Sequence, residues 1–227
     1  AGFDNISLDL IYGLPGQDMA MWRQDLARAL SLDTQHISLY GLNIHPDTRW
    51  GRELARGALA PVDDDLAADM LETAIDTLVA AGFRHYEISN FARAGYQSRH
   101  NLAYWQRDNY IGLGAVAASC LLNHRWRNSE DAAVYAAAIA NGKLPMVEDE
   151  ALTIDQVMAE AVFLGLRLTA GVDFAAFAQQ YGVSPAQRFR RQIARLAGLG
   201  LLQVDANGMR LTRRGILLGN EAFAEFV

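Results

Sequence analysis

A chain of 227 residues, of which 51% are hydrophobic and 20% are charged, has the composition of an ordinary globular protein. Its formal net charge of −6 argues against a general binder of polyanions, which needs clustered Lys and Arg. No apolar run approaches the ~20 residues that span a bilayer and no signal peptide is recognisable, so no transmembrane segment is expected, while a peripheral membrane contact stays open. The single cysteine, Cys120, excludes an internal disulfide and is typical of a reducing compartment, which predicts a cytoplasmic location.

The first residues lead almost at once into a predicted strand. The sequence opens with Ala1-Gly2-Phe3, without a methionine. A parallel strand that has no earlier neighbour would form an exposed sheet edge. We therefore expect this sequence to be the downstream portion of a longer chain.

The first half of the chain alternates between strand and helix patterns. Strands are predicted from short apolar or alternating runs bounded by Gly and Pro, and helices from apolar spacing and acidic first turns. In chain order these are a strand, a helix, a second strand, an irregular charged loop, a long helix and a third strand, at residues 6–13, 18–31, 36–44, 45–60, 61–82 and 85–91. This order predicts an α/β fold with a parallel sheet or barrel.

Asp9 lies in the middle of the first predicted strand. Strand alternation puts Asp9 on the same face as Ser7 and Ile11, opposite Leu8 and Leu10. A carboxylate on the inner face of a parallel sheet is costly unless it binds something. Asp9 is therefore a candidate ligand-binding residue. The strand-end polar residues His85, Glu87, Ser89 and Asn90 could line a cavity together with His100, or could simply hydrogen-bond one another. His36, His45 and His124 are expected to be structural or surface residues.

The second half begins with a small, apolar run at residues 111–122, which predicts buried close packing. A helix follows at 131–141, and we predict a domain boundary between 147 and 148, near the acidic segment 148–150. Two capping boxes, Thr153 with Gln156 and Ser184 with Gln187, open helical segments. A stripe formed by Phe174, Phe177 and Tyr181, a helix at 185–199 and a hairpin around residues 206–208 complete a winged-helix-like order. The predicted domains are thus 1–147 and 148–227.

Several segments, taken together, resemble one known family. S-L-D-L-I-Y-G-L-P-G, H-I-S-L-Y-G-L, H-Y-E-I-S-N-F-A, H-N-L-A-Y-W and Y-I-G-L-G-A are similar to the later part of the radical-SAM coproporphyrinogen III dehydrogenase family, in particular its HemW-type haem-chaperone branch. The resemblance covers roughly residues 5–130, and the C-terminal module fits the tail of the same family. It implies the later part of a radical-SAM partial TIM-type barrel, followed by a small winged-helix-like domain.

The resemblance also implies roles for individual residues. Asp9 matches the strand aspartate that hydrogen-bonds the ribose of S-adenosylmethionine, and Gly13 matches the turn at the mouth of that strand. The remaining matches form the H-N-x-x-Y-W signature tied to haem binding, in which His100 would ligate the iron: His100, Asn101, Tyr104 and Trp105. The residue chemistry agrees, because a ribose diol suits a carboxylate acceptor and a haem suits an imidazole and flat aromatic faces.

Two departures from the family pattern limit what this chain can do alone. The C-x-x-x-C-x-x-C motif is absent, so one cysteine cannot hold a [4Fe–4S] cluster. We expect the cluster only in a full-length parent, and this chain alone is expected to be inactive as a radical enzyme. Ala118 also stands where the family commonly has a histidine.

Three functions remain at this point. The H-N-x-x-Y-W segment favours a haem chaperone, whose partners are haem or porphyrin and recipient haem proteins. The first alternative is an enzyme that oxidatively decarboxylates coproporphyrinogen III propionates without oxygen. The second is nucleic-acid binding through the predicted helix that carries Arg188, Arg191 and Arg195. Residues 151–227 hold eight Arg or Lys against six Asp or Glu, which is too weak a basic patch to favour this second alternative.

Overall fold

The computed structural model describes residues 2–61 and 63–227. The chain divides into two compact units, the first ending at Ser98 and the second running from Arg99 to Val227. Each unit is described by itself. Within the described ranges, no helix is long and apolar enough to cross a membrane.

The first unit is a four-stranded mixed sheet with three helices. Strands β1 and β2 pair in parallel, whereas β4 pairs antiparallel with both β2 and β3, which gives the order β1-β2-β4-β3. The elements are β1 Ser7–Tyr12, α1 Met19–Ser31, β2 His36–Gly41, α2 Arg49–Ala55, α3 Asp64–Ala80, β3 Arg84–Glu87 and β4 Asn90–Ala92.

The core of this unit lies between one sheet face and helices α1 and α3. Trp22 is fully buried, and its indole Nε1–H donates to the carbonyl of Met70 at 2.8 Å. Ile37, Leu39 and Phe91 contribute buried side chains from the sheet. Because strand alternation places these three on one face, the polar residues between them lie on the other face.

Both long helices begin where the sequence predicts. The carboxylate of Asp18 accepts a hydrogen bond from the Met21 N–H at 2.8 Å and caps α1. Asp63 caps α3 by accepting from Asp65 N–H and Leu66 N–H. Gly82, at φ 85°, follows the end of α3 in the left-handed conformation that favours glycine.

Three predictions for this unit are wrong. The single strand predicted at residues 85–91 is a tight hairpin, β3 and β4, that turns at Ile88 and Ser89. The hairpin lets β4 pair antiparallel with both β2 and β3, and Asn90 Nδ2 donates to the Glu87 carboxylate across the turn. The irregular loop predicted at residues 45–60 contains α2, which Thr48 caps by accepting from Gly51 N–H at 3.0 Å. The second strand also ends earlier than predicted, at Gly41.

The second unit contains two small antiparallel sheets and several short helices. One sheet has the order β5-β6-β7 and the other the order β8-β10-β9. The elements are α4 Arg99–Trp105, β5 Ala118–Leu121, β6 His124–Asn128, α5 Ala132–Ala140, β7 Met146–Ala151, α6 Ile154–Gly165, β8 Val172–Asp173, α7 Phe174–Tyr181, α8 Pro185–Arg188, α9 Arg190–Gly198, β9 Leu202–Val204, β10 Gly208–Leu211, α10 Arg213–Leu217 and α11 Gly219–Ala224.

The apolar run at residues 111–122 is not the buried packing that its composition predicts. Leu113 is 85% exposed and Ile111 62% exposed, and the segment leads into the β5–β6 hairpin. Strand β7 pairs with β6 through ion pairs of Arg125 with Glu150 and of Arg127 with Glu148, at 2.9 and 2.6 Å. The acidic segment is thus part of a strand that lies across the predicted 147/148 boundary, which itself stays a prediction.

The C-terminal helices follow the predicted order with two corrections. The Thr153–Gln156 capping box is present, but the Ser184 side chain makes no capping bond, so that predicted box is wrong. The helix predicted at 185–199 is interrupted at Phe189, where φ is −112° and ψ is 28°, and becomes α8 and α9. The buried Phe189 ring packs against Phe226 with ring centroids 5.5 Å apart, which fixes the break.

Two of the three arginines that could contact a nucleic acid form ion pairs within the chain. Arg188 pairs with Asp155 at 2.9 Å, and Arg195 pairs with Glu225 at 3.0 Å. These contacts neutralise two cations of the predicted basic face. The geometry therefore does not favour nucleic-acid binding.

Candidate functional site

Polar side chains cross the sheet of the first unit at one level. Asp9 pairs in register with Ser38, Ser38 with Asn90, and Asn90 with Glu87. Strand alternation puts all four on the face opposite Ile37 and Leu39, as predicted for Asp9. Asp9 is exposed, whereas the other three side chains are buried. We call this surface the polar face.

An apolar shelf lies beside Asp9 on the polar face. Ile11 and Tyr40 are register partners on β1 and β2, two positions along from Asp9 and Ser38. They stay 48% and 43% exposed, although both are large apolar side chains. In the described part of the chain, no ion pair or hydrogen bond occupies the Asp9 carboxylate. A free carboxylate can accept hydrogen bonds from the hydroxyl groups of a ring. The flat apolar surface beside it can pack against an aromatic base attached to that ring.

Gly13 follows β1 in the left-handed conformation, at φ 75°. It contributes to a cavity of about 360 Å³ beyond the ends of β1 and β2, which is also lined by Tyr12, Gly41, Leu42, Asn43, Ile44, Leu54, Pro61, Asp64 and Ala67. The positive φ explains why glycine is needed at this turn. The cavity puts Gly13 at the mouth of the strand that carries Asp9.

His36, which the sequence predicts to be a structural or surface residue, also lies on the polar face. His36 Nδ1 lies 2.8 Å from Ser7 Oγ, and Nε2 lies 2.9 Å from the Tyr86 hydroxyl, which accepts from Ser98 N–H at 3.1 Å. Burial lowers the pKa of His36 below its ordinary value, partly offset by Asp9, and burial raises the pKa of Tyr86 to about 12. Both rings are therefore neutral near pH 7. Strand alternation, which puts His36 on the same face as Ser38, was the sequence signal that could have found this position.

Acid is expected to destabilise the first unit through His36. Its pKa in the folded chain is lower than the ordinary 6.5, so the unfolded chain binds the proton first as the pH falls. The stabilising contribution is fully present above 6.5 and is lost as the pH falls toward the folded pKa. We expect the urea midpoint to drop between about pH 7.5 and about pH 5.5 and the drop to be smaller in His36→Gln. An equal drop in both proteins would contradict this role, because the other histidines are common to both.

The four polar residues at the end of the predicted third strand lie in three places: on the polar face, against Phe91, and in the turn between β3 and β4. Glu87 and Asn90 are on the polar face, and the buried Asn90 Oδ1 has no hydrogen-bond partner in the described part of the chain. His85 instead stacks on Phe91, with ring centroids 4.3 Å apart, and its Nε2–H donates to the Ile88 carbonyl at 3.2 Å. Ser89 lies in the turn, where its carbonyl accepts from Leu39 N–H.

The four residues of the H-N-x-x-Y-W segment lie on one short helix, α4. The His100 and Tyr104 rings are one turn apart and meet edge-on, with centroids 4.9 Å apart, and Tyr104 meets Tyr110 in the same way at 4.7 Å. His100 is exposed, whereas Asn101, Tyr104 and Trp105 are half-buried. Among the described residues, no hydrogen bond engages the ring nitrogens of His100. The helix therefore presents a free imidazole beside aromatic rings.

A cavity of about 230 Å³ lies against α4 within the second unit. We call it the Trp105 cavity; its lining residues include Tyr104, Trp105, Arg107, Tyr110, Arg125 and Glu160. Glu160 accepts from both arginines, from Arg107 Nε at 3.0 Å and from Arg125 NH1 at 2.8 Å. The Arg167 guanidinium lies over the Trp105 ring, 4.2 Å from its centroid. Aromatic and cationic groups thus surround one small cavity.

The described residues do not fit a cysteine-ligated cluster. They contain no group of three or more His, Cys, Asp or Glu side chains that could hold a metal ion, and Cys120 is a single buried thiol. A [4Fe–4S] cluster needs several thiolates. The described residues therefore do not supply the thiolates that such a cluster needs.

Known proteins resemble this chain. Residues 152–218 match the family described as the HemN C-terminal domain. Heme chaperone HemW of Bacillus subtilis is 39% identical over 226 residues, covering 100% of this chain and 60% of that protein. Heme chaperone HemW of Lactococcus lactis is 36% identical over 227 residues, covering 100% of this chain and 59% of that protein. The chain is similar to these HemW proteins along its whole length. It spans about 60% of the length of these curated relatives.

A solved structure shares the fold of this chain. Coproporphyrinogen III oxidase (HemN) from Escherichia coli, a radical SAM enzyme, matches with a TM-score of 0.76 and 23% identity, covering 99% of this chain and 55% of that chain. This match confirms the predicted α/β fold, and the sequence matches confirm the predicted resemblance to HemN and HemW proteins. The partial-barrel arrangement, and the roles of Asp9, Gly13 and the H-N-x-x-Y-W residues, stay predictions.

Proposed function

We propose that this chain acts in a HemW-type haem chaperone, which binds haem and passes it to recipient haem proteins. The observation that carries the proposal is the similarity to HemW proteins along the whole chain, at 39% and 36% identity. The likeness to the Escherichia coli oxidase is one of fold alone and gives the dehydrogenase reaction no separate support. The single buried thiol, Cys120, suits a reducing compartment, and we propose a cytoplasmic location.

Helix α4 supplies groups that suit haem. The exposed His100 imidazole can ligate the iron through a ring nitrogen, since neither nitrogen is engaged in the described part of the chain. The edge-on contact with Tyr104 fixes the orientation of the imidazole ring. The aromatic faces of Tyr104 and Trp105 offer apolar surface to a flat macrocycle, and Asn101 adds a polar contact on the same helix. Exposure of His100 also allows the iron to be passed on, because a recipient protein can approach it from solvent.

The polar face suits S-adenosylmethionine. We assign the Asp9 carboxylate to the ribose diol, which donates two hydrogen bonds, and the exposed Ile11 and Tyr40 shelf to the purine ring. Gly13 lets the chain turn closely at the mouth of β1. When bound, this cofactor supplies an adenosyl group and a methionine group. The residues of this chain hold and orient its nucleoside half.

The proposed function is tested by haem uptake and transfer. Purified chain titrated with haemin is expected to shift and sharpen the Soret band, saturating at about one haem per chain. The loaded chain is then mixed with apomyoglobin, and the holomyoglobin spectrum is expected to appear faster than from haemin held by serum albumin. A Soret band identical to that of free haemin, together with no faster transfer, would reject the chaperone function.

A further inference from the structure

Two buried hydrogen-bond donors of the Trp105 cavity have no partner. Arg107 NH2 and Trp105 Nε1 are both buried, and neither has a hydrogen-bond partner in the part of the chain that the structure describes. Buried N–H groups are nearly always satisfied, and an exception needs an explanation such as a ligand or a bound water. Because both residues line the same cavity, one acceptor group there could serve both donors.

Two of the five N–H donors of Arg107 are used within the fold and orient its guanidinium. Nε donates to Glu160 at 3.0 Å and NH1 donates to Asn123 at 2.8 Å. The side chain is only 12% exposed. The guanidinium is therefore held in place, with NH2 left to bind an acceptor.

The cavity carries the carboxylates of Glu160 and Asp108 as well as two arginines, so its free donors, rather than a net positive charge, select an acceptor group with an apolar stem. Arg107 and Arg125 share Glu160, and Arg125 also pairs with Glu150 at 2.9 Å. An arginine N–H and an indole N–H are both donors only, so their common partner must be an acceptor. A carboxylate has two acceptor oxygens and suits arginine geometry. The rings of Tyr104, Tyr110 and Phe163 line the remaining wall and suit a hydrocarbon stem.

We propose that the Trp105 cavity binds a propionate side chain of the tetrapyrrole, whose carboxylate oxygens accept from Arg107 NH2 and Trp105 Nε1. The identity of the ligand rests on the proposed haem-chaperone function. The cavity volume of about 230 Å³ suits a side arm rather than a whole macrocycle, since drug-sized ligands occupy about 300 Å³ or more. The ring system itself stays outside, beside His100 and Tyr104. Arg107 is thus a specificity residue for tetrapyrroles that carry free acid groups.

The test compares haemin with haemin dimethyl ester, in which both propionates are blocked. The native chain is expected to bind haemin about 10- to 100-fold more tightly than the ester, which is the effect of losing one charge-assisted hydrogen-bonded contact. Arg107→Gln is expected to lose about the same factor for haemin and to bind the ester as the native chain does. Arg127→Gln is the matched control, because Arg127 lies in the same unit and pairs with Glu148 away from the cavity lining.

Unchanged ester binding by Arg107→Gln shows that the variant is folded. Equal losses for haemin and ester, or no preference of the native chain for haemin, would overturn the propionate site while leaving haem binding intact. Such a result would mean that ordered water satisfies the two donors.

A second measurement separates this proposal from the chaperone function. The Trp105 Nε1–H resonance, assigned with Trp105→Phe, is followed in a ¹⁵N–¹H correlation spectrum while sodium propionate is added. We expect the resonance to shift in the native chain and in Arg127→Gln, but not in Arg107→Gln. If haemin does not bind but propionate still produces this pattern, the chaperone function fails and the carboxylate site stands. If propionate leaves the resonance unmoved, the carboxylate site is rejected.

Discussion

Replacing His100 by alanine is expected to weaken haemin binding by about tenfold or more and to remove the Soret shift that reports an imidazole ligand. The physical reason is that a ligand bond to iron is replaced by contacts of the macrocycle with aromatic side chains alone. Tyr104 and Trp105 keep their positions in this variant, since Tyr104 also packs edge-on against Tyr110. The residual binding should therefore be weak, with the spectrum of a haem in an apolar site without nitrogen ligation. Absorption titration and low-temperature electron paramagnetic resonance check both parts.

His124→Ala is the matched control for His100→Ala. His124 also belongs to the second unit and is partly exposed, but its Nε2 pairs with Asp149 at 2.8 Å. Haemin binding to the control should match that of the native chain. Equal loss in both variants would show nonspecific coordination by surface histidines, and retention of the Soret shift in His100→Ala would exclude His100 as the iron ligand.

Replacing Asp9 by asparagine is expected to lower the affinity for S-adenosylmethionine by about 10- to 100-fold, because hydrogen bonds to a charged acceptor contribute about 1.5–3 kcal/mol. Asparagine keeps the shape of the side chain but removes the charge and one of the two acceptor oxygens. Asp9 is exposed and no ion pair holds it within the described ranges, so the fold should not change. Isothermal titration with S-adenosylmethionine, together with a urea unfolding curve, measures both quantities.

Asp69→Asn provides the comparison for Asp9→Asn. Asp69 is an exposed carboxylate on α3 in the same unit, so its removal changes the net charge equally without touching the polar face. Adenosine should lose affinity in Asp9→Asn by the same factor as the whole cofactor, since the proposed contact is to the ribose. Unchanged affinity of Asp9→Asn for both compounds would remove Asp9 from the binding site.

Local patterns were enough to predict the elements that carry their own periodicity or caps. The apolar spacing of Trp22, Leu26 and Leu30 predicted α1, and the acids at 63–65 predicted the start of α3. Alternation also predicted correctly which face of β1 carries Asp9, because a strand places every second side chain on the same side. The quoted segments of the chain predicted its resemblance to HemN and HemW proteins, which the comparisons confirm.

Features that depend on distant partners could not be predicted in this way. The hairpin of β3 and β4 needs β2 beside β4, and the acidic strand β7 is stabilised by arginines of β6. The composition of the apolar run at 111–122 predicts core packing, yet its large side chains are exposed. The contact of Arg107 with Glu160 joins residues 53 positions apart, so the Trp105 cavity has no local signature in the sequence.

Within the described ranges, strand β1 pairs with β2 alone and lies at the border of the four-stranded sheet of the first unit. Its outward N–H and C=O groups can template another strand, and two molecules brought together at high concentration can join along this border. Such association would be favoured by crowded preparations and opposed by dilution. Titrations of nucleoside ligands should accordingly be repeated over a range of protein concentrations, since an affinity that drifts with concentration would report self-pairing rather than the intrinsic strength of the contact.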